Sequence, residues 1–174
     1  MTERPDKLNN HAIILAHGGE YQEAIACLRR AITIERNNYL LWYNLGITYR
    51  DSGDIPSARN ALEKAHQIEP ERLDVLDTLG TLCINDEDYL AALSYSQEGI
   101  ELAPENSGFW NIAGVALFNM EKYELASEHF EQALCFNPYD ANALYNLRDT
   151  YQELHNQVGA RECEKRLNEL GIKN

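Results

Sequence analysis

The chain has 174 residues, 44% hydrophobic and 25% charged, and 28 Asp and Glu against 15 Lys and Arg give a formal charge of −13. That composition belongs to a folded chain, and its acidic balance excludes charge-driven binding to nucleic acid or to anionic lipid. No apolar run approaches a membrane span, residues 12–16 being among the longest, and the opening Met-Thr-Glu-Arg-Pro has no apolar signal core, so a cytoplasmic chain is expected.

Aligned with itself at a shift of 34 residues, the sequence stays in phase over five units, 5–38, 39–72, 73–106, 107–140 and 141–174. Self-similarity at such a period marks a repeat architecture, and each unit reads as two helices. In the first unit Leu8, Ala12 and Leu15 predict one helix, and Ala24 and Ala31 a second. The second unit is the clearest. Trp42, Leu45, Gly46 and Tyr49 lie at i, i+3, i+4 and i+7, one stripe of a helix. Ser52-Gly53-Asp54 then makes a turn in which Asp54 can cap the next helix and Pro56 sits in its first turn. Ala58, Leu62 and Ala65 form the second stripe, which Pro70 closes. The third unit repeats the columns with Leu76, Gly80, Cys83, Ala92, Gly99 and Pro104, and the fourth with Trp110, Gly114, Leu117, Ala126, Ala133 and Pro138. Leu144, Tyr151 and Ala160 carry them into the fifth. Small residues in the Gly46 and Ala58 columns let two backbones approach, with Trp42, Tyr49 and Leu62 filling the space around them. A helix pair of this size cannot bury its own stripe, so neighbouring pairs must stack.

A 34-residue helix–turn–helix carrying Trp-x-x-Leu-Gly-x-x-Tyr, then Ala and Pro, resembles the tetratricopeptide repeat. Trp42, Leu45, Gly46, Tyr49, Ala58, Leu62, Ala65 and Pro70 hold the pattern nearly in full, and Trp110, Gly114, Tyr123, Ala126, Phe130, Ala133 and Pro138 hold much of it. In the third unit Ser96 replaces an aromatic. The first unit departs from type at His11 and Arg36, and the last at Arg148, Gln157, Glu164 and Ile172, as capping repeats do. The resemblance implies one all-α domain over residues 1–174, a right-handed α-solenoid whose first helices line a concave groove for peptide segments.

Wheel geometry gives the stripe of each first helix opposite the core. It holds six acids (Asp6, Asp51, Asp74, Asp77, Asp149 and Glu153), one arginine, Arg50, and apolar residues that include Ile47, Val115 and Phe118. The expected groove residues are Asn9, Tyr43, Asn44, Ile47, Arg50, Asp74, Asp77, Thr81, Asn111, Val115, Phe118, Tyr145, Asn146 and Asp149. Asn10, Asn44 and Asn146 share a column that Thr78 and Ile112 interrupt; these amides read equally as peptide contacts or as solvated fillers. By unit the net charges are 0, −1, −8, −4 and 0, and residues 73–106 contain no Lys or Arg. Asp74 and Asp77 there are expected to meet a partner, while residues 86–88, Glu98 and Glu101 suit a solubility face. Some family members grip acidic chaperone tails through cations on successive first helices; no frame here supplies one, and Asp74 stands where one is needed.

Catalysis finds no footing: there is no phosphate loop, no Gly-x-Gly-x-x-Gly and no Gly-x-Ser-x-Gly. Cys27, Cys83, Cys135 and Cys163 read as partly buried hydrophobes, His11 as a semi-buried core histidine, and no cofactor or metal is expected. The expected function is a non-enzymatic protein-interaction scaffold for a neutral or basic peptide segment. The alternatives are an assembly subunit that pairs through Leu147, Tyr151, Leu167 and Leu170, or a regulatory or adaptor subunit of an enzyme complex.

Overall fold

A computed structural model describes residues 4–172, so Lys173 and Asn174, the end of the fifth expected repeat, lie outside the described residues. Among those described are ten α-helices and no strand: α1 (Pro5–His17), α2 (Tyr21–Ile34), α3 (Tyr39–Asp51), α4 (Ile55–Ile68), α5 (Leu73–Asn85), α6 (Tyr89–Leu102), α7 (Ser107–Asn119), α8 (Tyr123–Phe136), α9 (Ala141–Glu153) and α10 (Gln157–Glu169). The odd-numbered helices open the five expected repeats at their first residue. Chain contacts divide the fold into two compact units, one ending at Leu79 and one beginning at Gly80, within α5.

Local chemistry sets the helix ends. Asp54 caps α4 by accepting from the Ser57 N–H at 3.2 Å, and Asp88 and Asn156 do the same for α6 and α10. Asn38, Asn106 and Asp140 cap first helices in the same way. Between the paired helices one position is always left-handed: Gly19 (φ 81°), Gly53 (86°), Glu87 (59°), Glu121 (58°) and His155 (55°). Glycine takes that conformation without steric cost; the other three hold it under strain.

Close approach explains the small columns. A Cβ on Gly46 of α3 would lie 2.6 Å from Leu62 Cγ, and one on Gly114 of α7 would lie 2.5 Å from the Phe130 ring. In the third repeat the volume is supplied from the next one. Ser96 and Gly99 leave α6 thin, and the fully buried Phe109 ring of α7 presses on Gly99, where a Cβ would overlap it. Ser96 is itself buried, with its hydroxyl donating to the Leu93 carbonyl at 3.0 Å. Trp42 and Trp110 act differently from simple fillers: each is half-buried, and its indole N–H donates back to the preceding turn, to the carbonyls of Arg36 (2.8 Å) and Pro104 (2.7 Å). Core residues include Leu28, Leu41, Leu45 and Leu62 in the first unit and Leu117, Phe130, Leu144 and Leu167 in the second.

The end repeats differ as capping requires. Ile14 is 70% exposed, whereas Thr48, Leu82, Ala116 and Thr150 in its column are buried. Glu164 is exposed, whereas Leu28, Leu62, Ser96 and Phe130 in its column are buried. The expected pairing patch on the last repeat does not form. Leu147 and Leu167 are buried inside the second unit, and the half-buried Tyr151 donates its hydroxyl to Glu131 at 2.6 Å. Two further expectations change: Cys135 and His11 are exposed, the latter with its Nδ1 4.0 Å from the Cys27 sulfur.

Candidate functional site

The expected site residues divide evenly between the two units. The first unit carries Asn9, Tyr43, Asn44, Ile47, Arg50, Asp74 and Asp77 on α1, α3 and the start of α5. The second carries Thr81, Asn111, Val115, Phe118, Tyr145, Asn146 and Asp149 on the end of α5, α7 and α9. Within each unit, polar groups on successive first helices are linked at a separation of 35 residues. Asn44 Nδ2 donates to Asn9 Oδ1 at 2.7 Å, and Asn146 Nδ2 to Asn111 Oδ1 at 3.1 Å. The Thr78 hydroxyl donates to the Asp74 carbonyl at 2.8 Å, so its oxygen accepts the Tyr43 hydroxyl at 3.3 Å. Thr78 therefore replaces an amide rung rather than interrupting the ladder. The rungs join Asn9 to Asn44 and leave Asn10 exposed. Asn9 is buried, so this amide works between helices and does not project as an open contact.

The acids of this face are mostly neutralised along the chain. Arg4 pairs with Asp6 (2.7 Å), Arg50 with Asp51, Arg72 with Asp74 and Arg148 with Asp149 (each 2.8 Å). Arg72 also lies over the Tyr39 ring, 4.4 Å from its centroid, and Asp74 accepts the Val75 N–H at 3.0 Å. The Arg72 hydrogen bond holds the Asp74 carboxyl below its ordinary value. Arg72 sits one residue before the third repeat, which is why a charge sum by repeat misses it. Asp77 and Glu153 make no hydrogen bond or ion pair among the described residues. Asp77 keeps an exposed edge, yet partial burial pushes its carboxyl above the ordinary value.

In the second unit the face opens into a recess of about 200 Å³ lined by Val115, Phe118, Asn119, Phe130, Asn146 and Asp149. Four of these are expected site residues. Phe130 reaches the recess from α8, and its ring stands beside Gly114. Phe130 is a core residue by its column, so nothing in the sequence marks it as part of a binding surface. Tyr145 lies under Arg148, 4.9 Å from the guanidinium carbon. The acids of the third repeat divide by place: Asp88 is used as a helix cap and Glu87 occupies the left-handed turn. Among the described residues no three His, Cys, Asp or Glu side chains gather as a metal site would need, and no helix is long and apolar enough to cross a membrane.

Family models described as Tetratricopeptide repeat match residues 3–71 and 107–140, together more than half of the chain. The chain is 23% identical over 135 residues to anaphase-promoting complex subunit 3 of Schizosaccharomyces pombe, covering 78% of this chain and 20% of that protein. It is 29% identical over 133 residues to the BBSome complex member BBS4 of Xenopus tropicalis, covering 69% and 26%. It thus spans about a quarter or less of these two relatives. Among solved structures, MamA from Desulfovibrio magneticus RS-1 superposes with a TM-score of 0.89 at 20% identity over 98% of this chain and 97% of that one. YrrB, described as a TPR protein with an unusual peptide-binding site, superposes at 0.78 with 26% identity over 92% and 84%. These likenesses make the fold an all-α solenoid of helical repeats.

Proposed function

The chain belongs to the tetratricopeptide repeat family of protein-interaction scaffolds, and we propose that its first-helix face binds a neutral or basic peptide segment without catalysis. The observation that carries this reading is Asp77. Four of the six acids on the face have an arginine of their own, whereas the exposed Asp77 has no partner among the described residues and partial burial raises its carboxyl. A carboxylate in that position is improved by a cation or by N–H donors arriving with a ligand, and an acidic segment would be repelled. The groove is therefore less acidic than its composition suggests, and its preference rests on a few acceptor groups. The likeness to YrrB supports peptide binding, and the likeness to subunits of large complexes supports an adaptor role within a larger assembly.

Fluorescence anisotropy with acidic, neutral and basic synthetic peptides tests the reading. Neutral and basic peptides are expected to bind and acidic ones not. Asp77→Lys is expected to weaken binding, while Glu101→Lys on the exposed flank of α6 leaves it unchanged. Preference for acidic peptides, or equal binding by Asp77→Lys, would contradict it. Asp74 is a poor test, because reversing it also strands Arg72 and removes the Val75 contact.

A further inference from the structure

The recess between α7 and α9 has a polarity that goes beyond a general peptide surface. Its floor is apolar, made by Val115, Phe118 and Phe130. About 200 Å³ is several times the ~30 Å³ share of one water and suits a single long side chain rather than a folded element. Its rim is polar and rich in acceptor oxygens, with one N–H of each amide already used. Asn119 gives one Nδ2 hydrogen to the Val115 carbonyl at 2.8 Å, and its Oδ1 makes no hydrogen bond among the described residues. Asn146 commits its Nδ2 to Asn111 and likewise keeps Oδ1. Arg148 holds Asp149 Oδ1 with both Nε (2.9 Å) and Nη2 (2.8 Å), and Asp149 Oδ2 accepts no hydrogen bond among the described residues.

Glu153 follows Asp149 by about one turn at the end of α9, and Glu121 lies in the turn after α7. The Phe118 ring meets Tyr123 edge-on, 5.3 Å between centroids. Burial first, then the charges of Glu153 and Glu121, raise the Tyr123 phenol above its ordinary value. Neither Glu121 nor Glu153 forms an ion pair among the described residues, and Lys122 pairs with neither.

We propose that this recess anchors one lysine or arginine side chain of the bound segment, its aliphatic stem on Val115, Phe118 and Phe130 and its cationic head toward Asn119 Oδ1 and Asp149 Oδ2. The assignment rests on the reading of the first-helix face as the peptide surface and names the residue class that face selects. A purely apolar side chain would cover these acceptors without supplying donors, which costs free energy, and a carboxylate would meet like charge. Lysine and arginine alone combine a long apolar stem with a donor-only head.

The test is selection of a phage-displayed random heptapeptide library on the full chain, with Asn119→Leu, Phe118→Ala and Asp77→Asn in parallel. Recovered peptides are expected to be enriched in Lys or Arg at one position by on the order of tenfold over the input, the ratio that a gap of about 1.4 kcal/mol gives. That enrichment is expected to vanish for Asn119→Leu, an exposed position that carries no folding risk, and for Phe118→Ala, but to persist for Asp77→Asn. Peptides recovered without such enrichment, or enrichment that survives Asn119→Leu, would overturn the anchor while leaving the peptide face standing. Recovery of no peptide above background would overturn both.

Discussion

At the turn between the two helices of each repeat, one residue must take a left-handed backbone, and Glu87 and His155 do so with side chains that disfavour it. Glu87→Gly and His155→Gly are each expected to raise the urea midpoint at unchanged slope, by up to about 1 kcal/mol of stability. A lowered midpoint would show that those side chains make contacts worth more than the strain. Asp74 and Asp77, three residues apart, are expected to answer pH in opposite directions. The Asp74 carboxyl is depressed by Arg72, so its contribution is present above the unfolded value and is lost as pH falls through the folded one. The Asp77 carboxyl is raised by burial, so the folded state is favoured while it is protonated and loses stability as pH rises through the folded value. Thermal melts near neutral pH should place Asp74→Asn below wild type and Asp77→Asn above it. Both differences should shrink at about pH 3, below the ordinary carboxylate range. A raised melt for Asp74→Asn would contradict its pairing with Arg72, and a lowered melt for Asp77→Asn would contradict the burial penalty on that carboxylate.

For the helices, the controlling quantity is the distance between backbones. Replacing glycine by alanine inside a helix ordinarily gains up to about 1 kcal/mol. At Gly46, Gly99 and Gly114 the added carbon would run into Leu62, Phe109 and Phe130. Overpacking of that kind costs about 1–3 kcal/mol, so each substitution is expected to lower the melting temperature despite the better propensity. Unchanged or raised melting would mean that the helix pairs can part freely. All ten helices were legible in the sequence, because the 34-residue period places each first helix and the Asp54 and Pro70 signals place the second. The compensation in the third repeat was not legible: Ser96 looks like a lost aromatic until Phe109 is seen against Gly99 from the next repeat. Column analysis compares equivalent positions, whereas packing joins different columns of adjacent repeats.

For the whole molecule the same limit explains which parts of the site could be read in advance. The face itself followed from helix geometry, and it does carry the two inter-repeat amide pairs and the recess beside Phe118. Its charge did not follow, because arginines one or two residues away along the chain fold back onto four of its acids. Assembly through the last repeat loses its basis for a related reason: two of the four apolar residues expected to pair are consumed by the core of their own unit. The surface proposed for partners is a set of acceptors, with Asp77 in one unit and the Asn119 and Asp149 rim in the other. Amide chemical-shift mapping on the isotope-labelled full chain, titrated with the most enriched library heptapeptide, tests that account most directly. It predicts shifts concentrated on the first helices α1, α3, α5, α7 and α9, at positions such as Tyr43, Asp77, Phe118 and Asn146; shifts confined to the second helices or to the turns would contradict it.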